Sequence, residues 1–490
     1  MLTTKRKACV LIALMMTVLQ AQQVYDGYVL YSNNGGNSVY LVDQNKTIVH
    51  SWEHLTSGGY AVYLNEEGTI LWPCQSSSNG ISGAAAAGLL QAIDSAGNVV
   101  WEFDYKSNDY CAHHDIELMP NGNILLIAWE VKSGQEAMAA GFEDNSEVWP
   151  EHIIEIQPPQ SEGEQAQIVW QWHMWDHLTT GNEPELFNVD LGQDDGWGGG
   201  WGGFGGGDWM HMNGISYYPQ RDQIAFSSRY FNEIYVIDHS TTTQEAAGHS
   251  GGNSGMGGDI LFRWGSPQNY GQGGTQWLET VHSPNWIQDD CPGGGNLLAY
   301  YNDASRVYEL SPQMQGQYNY ADGASLQPHW TYEGQDFSWG QGSCYRLPNG
   351  NTFICNPTDN YLFEVNQAGE TVWEYSAGQG RVTRAVKYGA DYPGIVKLLN
   401  LPTPVKKAQG AGMRPASDNR ISVQGNSLVL KEGGTSATVE IFGLAGKRFV
   451  RKTVSGNDAR VRLTNLPTGT YVVKVHGRHE VYQRLVHKNW

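Results

Sequence analysis

The chain has 490 residues and a formal charge of −20. That excess of acid argues against a nucleic-acid partner for the main body, because phosphates are held by Lys and Arg that displace their counterions. Helix-period stretches are scarce. Instead, 60 glycines and 18 tryptophans punctuate short alternating runs, which points to an all-β chain built from repeats rather than one average domain.

In chain order, Lys5-Arg6-Lys7 followed by the apolar stretch Cys9 to Leu19 reads as an export signal ending at Ala21. That stretch is too short to span a bilayer comfortably. The expected product is secreted or held at the cell surface after passage through the periplasm. Losing the signal also removes Cys9 and leaves Cys74, Cys111, Cys291, Cys344 and Cys355, an odd set. Counting outward from a two-residue turn at Asn349-Gly350 places Cys344 opposite Cys355, where an oxidising compartment could join them.

Between residues 25 and 380 two patterns recur about six times each. One is an apolar pair followed by aromatic-x-aromatic: Val99 to Phe103, Ile168 to Trp172, Ile260 to Trp264 and Thr371 to Tyr375, with weaker copies at Ile48 to Trp52 and His329 to Tyr332. The other is an alternating strand, often closed by Asp: Val39 to Asp43, Leu90 to Asp94, Ile153 to Ile156, Ile234 to Asp238, Val307 to Leu310 and Leu362 to Val365. Neither unit can bury both faces alone. Stacking around an axis solves this, so the expected fold is a six-bladed β-propeller over residues 22–400. A glycine run, Gly198 to Gly207, interrupts it; it is either a lid or a tolerated low-complexity loop. A linker over 401–419 follows, then a basic segment over 420–490 whose alternation at Val439 to Phe442 and Tyr471 to Val475 fits a small β-sandwich.

The chemistry-bearing stretches are His113-His114-Asp115, Trp209-Met210-His211-Met212-Asn213, Ser227-Ser228-Arg229 and Val281-His282-Ser283-Pro284-Asn285. Imidazoles from separate repeats, with one arginine and one amide, suit an anionic substrate and a histidine nucleophile. His239 and His249 read as structural, and His173 and His177 could be either. The run His113 to Asn123, with Trp209 to Asn213, Phe231 to His239 and Arg263 to Tyr270, resembles the bacterial arylsulfate sulfotransferases over roughly residues 25–380, in matching order.

That resemblance implies a central-channel site and transfer of a sulfuryl group from a phenolic sulfate to a phenolic acceptor. It implies neither cofactor nor metal. His282 would be the nucleophile that becomes sulfated. His211, Asn213 and Arg229 would bind the sulfuryl oxygens. One of His113 and His114 would complete the set; alternation says only that they face opposite ways, and His114 is preferred. Ser283-Pro284-Asn285 departs from the family pattern, which puts the support of the nucleophile in question. The tail, with Val439 to Gly446 and Leu466 to Val475, resembles the C-terminal sorting domain of type IX secretion substrates, so that machinery is an expected partner. Two rivals remain. A zinc hydrolase has no His-Glu-x-x-His or comparable spacing behind it. A non-catalytic secreted propeller binding glycans or protein partners would have no need of a histidine nucleophile. No glycine loop here carries the Lys and Ser or Thr of a nucleotide cradle.

Overall fold

The structure, a computed structural model, describes residues 23–401 apart from 77–79, 82, 143–144, 162, 180–188, 191–206, 303–304, 335–339 and 379, together with seven strands between 421 and 488. The expected export signal, nearly all of the expected linker, and the glycine run up to residue 206 lie outside the described residues. The chain divides into two compact units, Met1–Leu401 and Pro402–Trp490.

The first unit is a propeller of six four-stranded antiparallel sheets. Their innermost strands are Ala385–Gly389, Tyr63–Leu64, Tyr110–Leu118, Met212–Tyr218, His282–Trp286 and Ser343–Arg346, for blades one to six. In blade one the inner strand comes from the far end of the chain and pairs with Gly27–Ser32, which closes the ring. The alternating pattern of the sequence forms the third strand of every blade, and the aromatic pattern the outer strand.

The aromatic pattern repeats because its indoles clasp neighbouring blades. Trp52 Nε1 donates to Asp94 O at 2.8 Å, Trp172 to Gly258 O at 2.7 Å, and Trp264 to Leu326 O at 3.0 Å. Trp330 donates to Gln367 O at 2.9 Å, and Trp373 to Gln44 O at 2.9 Å, across the seam between first and last blades. Each ring buries apolar area while its N–H finds a carbonyl, so no polar atom is stranded. The Asp at the end of a third strand also has a local task. Asp43 Oδ1 accepts from Asn45 N and Thr47 N, and Asp94 Oδ1 from Ala96 N and Asn98 N, fixing the turn into the outer strand.

The expected facing of Cys344 and Cys355 is not found. The turn at Pro348 to Gly350 spans three residues: Leu347 N donates to Asn351 O, and Gly350 takes φ +88°. The register therefore shifts by one, pairing Cys344 with Ile354 and Ser343 with Cys355. Because side chains alternate, the two thiols lie on opposite faces of the sheet, and both are free and buried.

The second unit is also β. It has a three-stranded sheet (Ile421–Gln424, Ser427–Leu430, Ala459–Arg462) and a four-stranded sheet (Arg448–Val454, Ala437–Gly443, Gly469–His476, Val481–Lys488). Val439, Ile441 and Val473 are buried, as their alternation requires.

Candidate active site

The inner strands of blades three, four and five each break their ladder where the histidines lie. Register shifts fall between Ala112 and Ile116, between Met212 and Gly214, and between His282 and Asn285. Three non-glycine residues there have left-handed backbones: His114 at φ +49°, His211 at +55° and Ser283 at +52°. Bulges re-aim side chains, and such backbones each cost about 1–3 kcal/mol, which surrounding contacts must hold. Three of these sites on consecutive inner strands mark one place where regular pairing yields to the direction of a side chain.

His282 is buried, and its two ring nitrogens have different partners. Nδ1 lies 2.9 Å from Thr280 O and also contacts Asn302 Oδ1. A carbonyl can only accept, so Nδ1 carries the hydrogen. Nε2 is then the bare nitrogen, and it accepts from Gln341 N at 3.3 Å. Asn302 is itself held by donating to Gln341 O. Burial, and next the Arg229 guanidinium, push the His282 imidazole well below its ordinary pKa, which favours the neutral ring. The departure at Ser283-Pro284-Asn285 does not leave His282 unsupported. Asn285 Nδ2 donates to Ser283 Oγ at 2.6 Å and to Cys344 O at 2.9 Å, pinning the bulge to blade six.

His211 Nδ1 sits 2.5 Å from Asp208 Oδ2. That carboxylate orients the ring and turns its other nitrogen away. Arg229 N donates to His211 O at 3.1 Å, so the end of the second strand of blade four lies beside His211. The Arg229 guanidinium lies over the Tyr230 ring at 5.6 Å, and no ion pair joins it to a carboxylate among the described residues. Asn213 is fully buried: Nδ2 donates to Val281 O at 2.9 Å while Oδ1 accepts from Ser227 Oγ at 2.5 Å. Its amide thus ties blade four to the residue before His282, with one N–H left over.

His113 and His114 part company. The His113 ring stacks on Trp129 at 3.8 Å, toward the body of blade three, while the His114 ring meets His211 at 4.7 Å and Tyr60 at 5.1 Å. Their Nδ1 atoms are 2.8 Å apart, so one donates to the other. His113 Nε2 is buried without a partner. A bare acceptor there is less costly than a stranded N–H, which puts the hydrogen of His113 on Nδ1 and that of His114 on Nε2. Burial, then the neighbouring His211, holds both pKa values well below the ordinary range. Asp115, the third residue of that motif, turns to Arg384 Nη1 at 2.8 Å and Tyr63 Oη at 2.7 Å, so it does not join the imidazoles.

His282, His211, His114 and Arg229 therefore belong to one electrostatic neighbourhood: His282 and His211 both act on His114, and Arg229 and His211 both act on His282. The structure adds Thr280, Asn302, Gln341 and Asp208. Only Asp208 had a visible signal, a carboxylate three residues before a histidine. Thr280 lies two residues before His282, Asn302 just after the strand paired with it, and Gln341 just before the inner strand of blade six.

A family model described as arylsulfotransferase (ASST) matches residues 12–325 of this chain. The chain belongs to the arylsulfotransferase family. Membership supports aryl sulfotransferase activity in general, and phenolic substrates as its class. No curated protein matches. Among solved structures, a protein of unknown function from Bacteroides caccae is 13% identical over 74% of this chain and 98% of its own, with a TM-score of 0.43. A functionally unknown protein from Desulfotomaculum acetoxidans is 9% identical over 74% and 99%, with a TM-score of 0.40. A streptogramin B lyase is 10% identical over 72% and 80%, with a TM-score of 0.37. Similarities of this size carry no argument about this arylsulfotransferase's chemistry.

Proposed function

We propose that this arylsulfotransferase moves a sulfuryl group from a phenolic sulfate ester to a phenolic acceptor through a sulfohistidine at His282, without a nucleotide donor. The observation that carries the reading is the tautomer of His282, with Nδ1–H held by Thr280 O and Asn302 Oδ1 and the lone pair on Nε2. In the first half-reaction Nε2 attacks sulfur, the S–O bond to the aryl group breaks, and the electron pair leaves on the phenolate oxygen. In the second, the acceptor phenol gives its proton to solvent, matching the proton that the released phenolate takes up, its oxygen attacks sulfur, and the N–S bond returns its pair to Nε2. Such transfers run through loose, in-line transition states, so the protein's task is positioning and charge stabilisation. Arg229 offers a planar fork to two sulfuryl oxygens, the remaining N–H of Asn213 adds a directional donor, and His211, whose Nδ1–H is held by Asp208, donates from Nε2 only as an imidazolium. The Nε2–H of His114 suits the leaving oxygen. A phenolate leaves more readily than an alkoxide because its parent acid has a pKa of about 10, which favours aryl donors.

The test mixes p-nitrophenyl sulfate with phenol. Nitrophenol release should depend on phenol, show ping-pong kinetics, persist in chelator and vanish in His282→Ala. Full transfer by His282→Ala would remove the nucleophile from the scheme.

We also propose that the protein is exported and that residues 420–490 serve the type IX machinery. The support for this is the sequence pattern of the tail. Deleting 420–490 should leave the propeller inside the cells of a host that has this machinery; appearance at the surface without the tail would overturn it.

A further inference from the structure

His177, which the sequence left open, and His249, which it read as structural, meet at one carboxylate. His177 closes the short 3₁₀ turn Met174–His177 after the outer strand of blade three. His249 and Asp259 belong to the glycine-rich insertion that precedes the outer strand of blade four. The ligating atoms of the three residues all lie within 4.8 Å of one another. His177 Nδ1 is 3.0 Å from Asp259 Oδ1, and His249 Nδ1 is 2.7 Å from the same oxygen.

His177, as a neutral ring, has one hydrogen for two acceptors. Its Nε2 lies 2.8 Å from Ala246 O, and a carbonyl only accepts, so the hydrogen of a neutral ring is on Nε2. Nδ1 is then a bare lone pair turned toward a carboxylate oxygen that has no hydrogen to give. Two acceptors this close repel, and a cation shared between them relieves the repulsion. The His177 ring has no exposed surface and lies flat against Trp172, at 5.5 Å between ring centres, so it is held in place to present Nδ1. A ring N–H donating to a backbone carbonyl is the usual way a metal-binding histidine is oriented, freeing the opposite nitrogen for the ion.

The surroundings hold this arrangement. Gly258 packs so closely that a Cβ there would sit 2.0 Å from Ala246 O and 2.6 Å from His177 Nε2. Its carbonyl also receives the Trp172 indole N–H. The His249 side chain is 64% exposed, which leaves an open side for water as a further ligand.

We propose that His177, His249 and Asp259 bind a zinc ion that staples the blade-four insertion to the end of blade three. Two imidazoles and one carboxylate, with a water in the fourth position, make a donor set suited to Zn²⁺. The site lies outside the sulfuryl-transfer machinery, so it stands or falls independently of the function proposed above.

The test uses the full chain, dialysed against chelator and titrated with Zn²⁺ alone and then with Co²⁺. The wild type should bind one more equivalent of Zn²⁺ than His249→Ala, gain thermal stability on binding, and give the visible d–d bands of a low-coordinate cobalt site. His249→Ala removes an exposed side chain, so it should remain folded by circular dichroism. Its affinity at the site should fall at least about 100-fold, the upper end of what losing a supporting partner costs. His329→Ala, which removes another partly exposed histidine beside a carboxylate, should keep the full stoichiometry and checks against adventitious binding. Equal zinc stoichiometry and affinity in wild type and His249→Ala, or no binding by wild type, would overturn the site and leave His177 and Asp259 as a charged pair.

Discussion

Asn302 illustrates how a residue without a motif governs one that has one. Its Oδ1 shares the Nδ1–H of His282 with Thr280 O, and its Nδ2 is fixed on Gln341 O. Asn302→Ala should leave the Thr280 contact and so the preferred tautomer, but loosen the ring. The expected result is a fall in kcat of about 10- to 100-fold with little change in KM, matching the 1–3 kcal/mol of one buried hydrogen bond. Steady-state kinetics on an aryl sulfate checks this; a pure KM effect would assign Asn302 to binding instead. Arg229→Lys keeps the charge and loses the fork, so transition-state stabilisation should drop by about 3 kcal/mol, read as a fall of roughly 100-fold in kcat/KM. The four histidines and Arg229 were legible as candidates because they stand in short distinctive stretches. Asn302 and Gln341 were not, because only the strand pairing of blade five and the packing of blade six beside it bring them to His282.

At the scale of strands, repetition was readable and register was not. Six aromatic runs and six alternating runs resolve into outer and third strands because alternation and indole clasps depend on local spacing. The counting that set Cys344 against Cys355 failed over a single residue of loop length. The inner strand of blade one, Ala385–Gly389, carries no repeat signal; long-range partners define it. Lys387 in that strand pairs with Glu364 of blade six, both side chains fully buried, and Glu364 also accepts from Tyr25 N at 2.8 Å. Lys387→Met would leave the buried carboxylate without its counter-charge and should destabilise the propeller by about 3–5 kcal/mol in urea melts. Adding Glu364→Leu should restore much of that loss; no restoration would mean that the strand is held by its backbone pairing alone. Gly214 gives a second test. A Cβ there would meet Pro284 Cδ at 2.6 Å and Ser283 N at 3.0 Å, so Gly214→Ala pushes on the bulge that aims His282. Activity should fall further than stability, as judged by kcat set against the melting temperature.

For the whole molecule, buried ionisable groups set a pH profile with unequal sides. Burial holds His113, His114 and His282 well below the ordinary histidine pKa and His152 at about 3. These rings take up protons below about pH 6.5 only when unfolded, so they favour unfolding as the solution becomes acid. Burial acts oppositely on carboxyls, raising Glu117 to about 8, Glu151 well above its usual range, and Asp115. Those groups hold protons in the folded state that the unfolded chain has released, so their contribution is lost as pH rises. Between about pH 4.5 and 6.5 the two sets oppose each other and stability should change little. Above 6.5 the histidines no longer contribute a slope, while Glu117 and Glu151 continue to lose protons on unfolding. His239, raised to about 9 by its bonds to Asp222 and Glu155 against the effect of burial, joins them, because its charged form is the folded one. Stability should therefore fall between pH 6.5 and 9, with a limiting slope of roughly 1 kcal/mol per pH unit for each titrating group. Urea midpoints measured from pH 5 to 9.5 check this. His239→Gln should make the alkaline side shallower, whereas an unchanged slope would show that His239 titrates alike in folded and unfolded chains.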